Sequence, residues 1–320
     1  MTRDRTAGIT LALGAAAVSG VAVFVNSYGV RAVPDATVYT TAKNLVAAVV
    51  LAVGAALVAQ PWRRVSQRGQ RMAATGHGVD RPRWRPRQIA GLVAVAATGG
   101  SIGFVLFFEG LARASSTQAA FLHKTLVIWV ALFAVVILRE RLRMLHLAAI
   151  AVLVAGQAVL SGGLSGLRFG VGEWLVLAAT LVWSGETVLA SWLLRDVPVR
   201  SVAVARMAGG VALLAAWLAV TGRWPALVGL GGEGWLWATV TGVILAGYVS
   251  LWFSALAAAP AVDVTAALVP AAVVTGVLNI VVHQTAVTVS SATGMLVVLV
   301  GTVLAVLAAT GRPALGSRRA

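Results

Sequence analysis

The chain of 320 residues is 59% hydrophobic and only 11% charged, against roughly 25% charged residues in soluble domains, so a soluble globular protein is excluded. Its 34 glycines and 9 prolines follow no triplet period and form no low-complexity tract, which removes collagen-like and disordered readings. The absence of cysteine rules out disulfides, thiolate metal sites and cysteine nucleophiles, while a net charge of +15 points to nucleic acid or to an anionic membrane surface, depending on where the basic residues fall.

Apolar runs close to the roughly 20 residues that cross a hydrocarbon core occur ten times along the chain: 8–30, 36–59, 89–111, 115–138, 144–162, 173–194, 199–221, 235–257, 261–283 and 289–311. Unpaired backbone groups are too costly in lipid for such runs to be anything but helices. A β-barrel would need shorter segments of strict alternation, whereas 126–138 is apolar on every side. The first run ends in Asn26, Tyr28 and Arg31 instead of a small-residue cleavage site, so it is taken as a helix and not a signal peptide.

Arginine placement sets orientation. One side collects Arg3, Arg5, the eight arginines from Arg63 to Arg87, then Arg139, Arg141, Arg143, Arg195, Arg200, Arg312, Arg318 and Arg319. Arg206 is counted there too, although it falls inside the seventh run. The other side has Arg31, Arg113, Arg168 and Arg223. Both termini are therefore expected to be cytoplasmic, in the inner membrane. The Arg-rich stretch 61–88 is expected to be a cytoplasmic loop against anionic lipid headgroups. Nucleic acid is the weaker partner for it, because Trp62 and Trp84 lie at the expected membrane boundary, where Trp belts form anyway.

The chain repeats itself. Ser19-Gly20 followed by Arg31-Ala-Val-Pro34 recurs as Ser184-Gly185 followed by Arg195-Asp-Val-Pro198, and Phe107-Phe108-Glu109-Gly110-Leu111-Ala112 recurs 145 positions later as Trp252-Phe253-Ser254-Ala255-Leu256-Ala257. Five runs per unit is an odd number, which turns the second copy upside down in the membrane. The expected fold class is thus an all-α polytopic membrane protein, ten transmembrane helices in two inverted five-helix repeats, 8–162 and 173–311, with a midplane site between them.

Leu111-Ala112-Arg113-Ala114, Ala119-Ala120-Phe121-Leu122 and Arg139-Glu140-Arg141-Leu142 resemble the "AL…A…AAL…P…gERL" signature of the ten-helix EamA-like branch of the drug/metabolite transporter superfamily. In the second copy the matching residues are Ala255-Leu256 and Ala266-Ala267-Leu268-Val269-Pro270. The resemblance runs from about Gly8 to Thr310 and implies a secondary transporter. Two positions depart from it: Thr125 stands where the first copy's proline belongs, and Gln284-Thr285 where the second copy's glutamate would fall.

An ionisable side chain at membrane depth defaults to a functional or paired role. Lys124, flanked by His123 and followed by Trp129, lies near the midplane of the fourth run, and Glu186 lies near mid-depth in the sixth. Lys43, next to Asn44, is a third of the way in from the outer face. Lys124 and Lys43 would present positive charge to an anionic group, and Glu186 would take a proton or a substrate amine. The bland alternative is a Lys124–Glu186 pair that joins two helices, with Lys43 snorkelling outward. Glu109 reads as a rim residue. Tyr248 and Trp252, four apart on one helix face, and Trp183, one turn from Glu186, could form an aromatic wall that stacks on substrate. Asn26, Tyr28, His283 and Gln284, toward outer ends, are candidates for gating or for hydrogen bonds between helices.

Other motifs fail on context. Gly229-Leu-Gly231-Gly232-Glu-Gly234 spells a dinucleotide fingerprint but falls between membrane runs, not in a βαβ unit. Gly163-Leu-Ser165-Gly166 lies in an outer loop with no histidine near it in sequence. There is no P-loop, no HExxH and no cofactor motif. The four histidines lie at different depths or in a loop, so an intramembrane enzyme is disfavoured. The expectation is a transporter exporting a small polar metabolite or drug in exchange for protons, with a non-transporting receptor or assembly factor as the alternative. Monomer and homodimer both stay open.

Overall fold

The computed structural model describes residues 4–72, 84–111, 113–114, 116–162 and 169–311. Several sequence features lie outside the described residues: Arg3, Arg81 and Arg83, His77, Ala112, Ser165, Arg168 and the C-terminal arginines. The described helices are α1 (Arg5–Ala32), α2 (Ala36–Met72), α3 (Pro86–Leu111), α4 (Ser116–Lys124), α5 (Leu126–Phe133), α6 (Met144–Leu160), α7 (Val171–Leu193), α8 (Val199–Val220), α9 (Trp224–Val228), α10 (Gly232–Ala258), α11 (Ala261–Leu268), α12 (Ala271–His283) and α13 (Val289–Thr310). Nine continuous or nearly continuous stretches among them are long and apolar enough to cross a membrane, and α6 is a shorter apolar helix of 17 residues. Together they are the ten spans read from the sequence. One boundary differs: α2 continues to Met72, through a segment whose Arg and Gln residues are good helix formers, where the polar stretch was expected to be loop from 61.

Two spans are broken in mid-course, at positions 145 residues apart. The fourth turns at Thr125 (φ −65°, ψ −8°) between α4 and α5, and the ninth at Pro270 (φ −58°, ψ −12°) between α11 and α12. Proline breaks a helix because it has no N–H to donate. Thr125 reaches the same break by a tight turn, its N–H and its hydroxyl both donating to the Leu122 carbonyl, at 3.2 and 2.6 Å. The first copy thus turns at the matching position without the proline. The two spans also end alike, on Arg139 (φ 56°) and Gln284 (φ 51°), the only non-glycine residues with positive φ among those described.

Close backbone approach joins the helices. α13 packs along α6, with Gly156 against Val298 and Gly301 against Leu153, the small-residue contact that serves where lipid removes any hydrophobic drive. Within α3 the backbone widens into a π turn at Thr98–Ile102, and within α8 at Ala205–Gly209. These turns face each other, so that Gly100 touches the Arg206 carbonyl and Gly210. The largest buried apolar cluster surrounds this crossing and includes Val95, Val188, Met207, Trp252, Phe253 and Leu256.

Candidate functional site

A cavity of about 220 Å³ lies inside the bundle, walled by side chains from both halves of the chain. Its ionisable lining consists of Lys43 from α2, His123 and Lys124 from α4, Glu186 from α7, Arg206 from α8 and Tyr248 from α10. Ser19 and Asn26 from α1, Thr187 and Thr265 add hydroxyl and amide groups, and Phe104, Trp183 and Trp252 supply aromatic surface.

The charges are arranged as follows. Arg206 Nε donates to Glu186 Oε1 at 3.2 Å, a buried pair between α7 and α8. The Arg206 guanidinium also lies 5.9 Å from the Phe104 ring and 6.0 Å from the Phe253 ring, within cation–π reach. Lys43 Nζ donates to Asn26 Oδ1 at 3.1 Å and sits 5.5 Å from both the Tyr39 and the Phe108 ring centroids. Tyr39 OH donates to the same Asn26 oxygen at 3.2 Å. Lys124 Nζ has no hydrogen-bond or ion-pair partner among the described residues. It stands in the last turn of α4, where unpaired carbonyls at the helix end favour a cation.

The aromatic wall is continuous around Trp183. Its indole N–H donates to the Gly99 carbonyl in the π turn of α3 at 3.3 Å, and its ring lies 5.1 Å from His123 and 5.3 Å from Phe104. Tyr248 and Trp252 stack at 6.1 Å, as their spacing on one face implies.

Of the nine residues read from sequence as a substrate site, seven meet at this cavity: Lys43, His123, Lys124, Glu186, Trp183, Tyr248 and Trp252. Two do not. Asn44, one position past Lys43, turns about 100° away around the helix and is fully buried, with neither side-chain atom hydrogen-bonded. Trp129 lies beyond the break in the fourth span and donates to Thr125 Oγ1 at 3.2 Å. The alternative of a Lys124–Glu186 pair gives way to Arg206–Glu186. Lys43 does not snorkel; only 7% of it is exposed.

Sequence reasoning overlooked Arg206 by counting it as a topology arginine, although an arginine seven residues into an apolar run was itself a signal. Asn26, read from sequence as a gate or as a hydrogen-bonding residue between helices, accepts from Lys43 and Tyr39 of α2 and also lines the cavity. The outer-end aromatics do meet: Tyr28 OH lies 3.2 Å from His283 Nε2, and the Tyr28 ring stacks on Trp237. Glu109 is held by Arg113 at 2.8 Å and Arg223 at 3.0 Å, at the rim.

Ten apolar spans in two related halves around a charged cavity define a polytopic helical membrane protein of transporter type. The model of the EamA-like transporter family matches the chain twice, over residues 6–162 and 170–307. The chain belongs to that family, within the drug/metabolite transporter superfamily. A solved crystal structure, 18% identical, superposes with a TM-score of 0.72 over 94% of this chain and 98% of its own, a likeness of fold. No curated protein matches.

Proposed function

We propose that the protein is a secondary active transporter that exchanges protons for a small polar metabolite and exports it from the cytoplasm. The two five-helix units, 8–162 and 173–311, are inverted relative to each other and rock about the cavity, so that it opens first to one side and then to the other. The protein sits in the inner membrane with both termini cytoplasmic, and the Arg-rich stretch 61–88 lies against anionic headgroups.

One observation carries this reading: Glu186, the one carboxylate among the described lining residues, reaches the cavity while paired with Arg206 across α7 and α8. A proton arriving at Glu186 dissolves the ion pair and leaves Arg206 free to move with α8. Binding of a proton is thereby tied to a rearrangement between two helices, which coupling requires. The cavity volume of about 220 Å³ is below the 300–1,000 Å³ of drug-sized sites and favours a small metabolite.

The test is reconstitution in proteoliposomes with an imposed pH gradient. Solute flux that follows the gradient is expected from the native chain, and Glu186→Gln is expected to retain binding but lose the gradient's effect. Full gradient-driven flux in Glu186→Gln would remove that residue as the proton site. Everted vesicles fix the direction, since export appears there as uptake.

A further inference from the structure

The two halves hold the same arrangement of a base over an aromatic ring, but only one of them neutralises it. In the second half Arg206, eight residues after Pro198, lies over Phe253 and reaches back to Glu186 in the preceding helix. In the first half Lys43, nine residues after Pro34, lies over Phe108 and reaches back to Asn26 in the preceding helix. Phe108 and Phe253 are 145 positions apart, the spacing that also relates Thr125 to Pro270. Lys43 and Arg206 thus occupy similar settings in the two halves, one residue out of register, since the spacing of Pro34 to Pro198 pairs Lys43 with Met207. The partner of Arg206 is a carboxylate, and the partner of Lys43 is a neutral amide.

Lys124 adds a second cation to the first half's side of the cavity, with no hydrogen-bond or ion-pair partner among the described residues. Once the Arg206–Glu186 pair is set aside, Lys43 and Lys124 remain without a counter-charge. A charge withdrawn from water is expensive unless it is paired, so the cavity is incomplete as it stands. We infer that the substrate is a small organic anion carrying two negative charges, one taken by Lys43 with Asn26 and the other by Lys124, its body lying against Trp183. The inference rests on the transporter reading and gives it a substrate class. Two ammonium groups on separate helices suit two separated acidic groups, as in a dicarboxylate. A phosphate monoester has the same total charge on one group, and the experiment includes both.

The experiment uses the full chain in detergent and then in liposomes. Thermal shift is measured with succinate, phenyl phosphate, leucine and tetraphenylphosphonium, since a ligand of the folded state raises apparent stability. Succinate or phenyl phosphate is expected to stabilise the protein, and leucine and tetraphenylphosphonium are not. The stronger of the two anions tells separated acids from a single phosphoryl group. Lys43→Gln can still donate to Asn26 but carries no charge, and it is expected to weaken the anion roughly tenfold or more, as is Lys124→Gln. Asn26→Asp, which gives Lys43 an internal partner as Glu186 does for Arg206, is expected to weaken it similarly. Stabilisation by the cation or the zwitterion alone, or undiminished anion affinity in both lysine variants, overturns the inference and leaves the transporter reading intact. Anion binding lost in the variants but with no flux in liposomes upholds the anion site and sinks the transporter reading instead.

Discussion

Glu186 and Arg206 form a buried ion pair, Nε to Oε1 at 3.2 Å, that ties α7 to α8 at the wall of the central cavity. Breaking such a pair from one side strands a buried charge, whereas replacing both members by apolar groups of similar size removes the problem along with the pair. Glu186→Ala is therefore expected to lower stability by about 3–5 kcal/mol, and the double variant Glu186→Leu with Arg206→Met to recover most of that loss. Denaturation of the purified single and double variants checks this. Equal destabilisation of single and double variants would show that packing, and not charge, dominates at this contact.

The number and placement of the spans were legible because a bilayer imposes the length of an apolar run directly. Lys43, Lys124 and Glu186 stood out because each is an ionisable residue well inside an apolar run. The side of the helix that each residue faces was not legible. In a run apolar on all sides there is no polar face to fix the rotation, so Trp129, five residues from Lys124 and about 140° away around the helix, looked as good a neighbour as any. The break at Thr125 was hidden for a different reason. Threonine carries no obligatory backbone constraint, and only its hydrogen bonds to Leu122 show that it does the work of Pro270. Arg206 was hidden by its identity: in a chain with 23 arginines, even one seven residues into a run was counted toward orientation, and its partner in another helix could not be known from sequence.

The Glu109 cluster makes a separate prediction. Arg223 Nη1 lies 3.0 Å from Glu109 and 3.7 Å from Asp35, joining the α8–α9 connection to the first half of the chain. These groups are partly exposed, so the bridge contributes about 1 kcal/mol or less to stability. In the alternating-access cycle proposed above, a bridge of that strength would bias the closing of this end of the cavity. The native chain has no cysteine, so a Ser19→Cys variant reports on access to the cavity alone. Adding Arg223→Ala is expected to speed labelling of that cysteine by a water-soluble thiol reagent by about fivefold with little loss of stability. High salt is expected to mimic part of the effect. Unchanged labelling would show that this end is held by packing.

Glu140 belongs to the Arg-Glu-Arg-Leu motif, and its role is structural. Its carboxylate accepts from the Ala261 N–H at 3.0 Å and the Val262 N–H at 3.4 Å, at the start of α11. Those donors have no partner within their own helix, and a negative charge is favoured there. Glu140→Ala is expected to cost about 1–2 kcal/mol and to speed amide hydrogen exchange at 261 and 262 in particular. Exchange accelerated evenly along α11 and α12 would instead point to a loosened bundle.

Two glycines near the ion pair, Gly100 in the π turn of α3 and Gly185 in α7, predict opposite outcomes. A Cβ at Gly100 would meet the Arg206 carbonyl and the Gly210 backbone, which cannot rotate aside as a side chain can. Gly100→Ala is expected to cost about 1–3 kcal/mol, and because the clash falls on Arg206 it is also expected to disturb the Glu186 pair and reduce flux. A Cβ at Gly185, one position before Glu186, meets nothing within 4 Å. Gly185→Ala is therefore expected to be neutral or slightly stabilising, by up to about 1 kcal/mol from helix propensity, with transport unchanged. Comparing the pair separates contact from sequence position: Gly185 is the closer of the two to Glu186 along the chain, yet Gly100 is the one packed against its partner. Equal loss of flux in both variants would mean that the cavity tolerates no change in this region, and the crossing of α3 with α8 would have no special part in holding the ion pair.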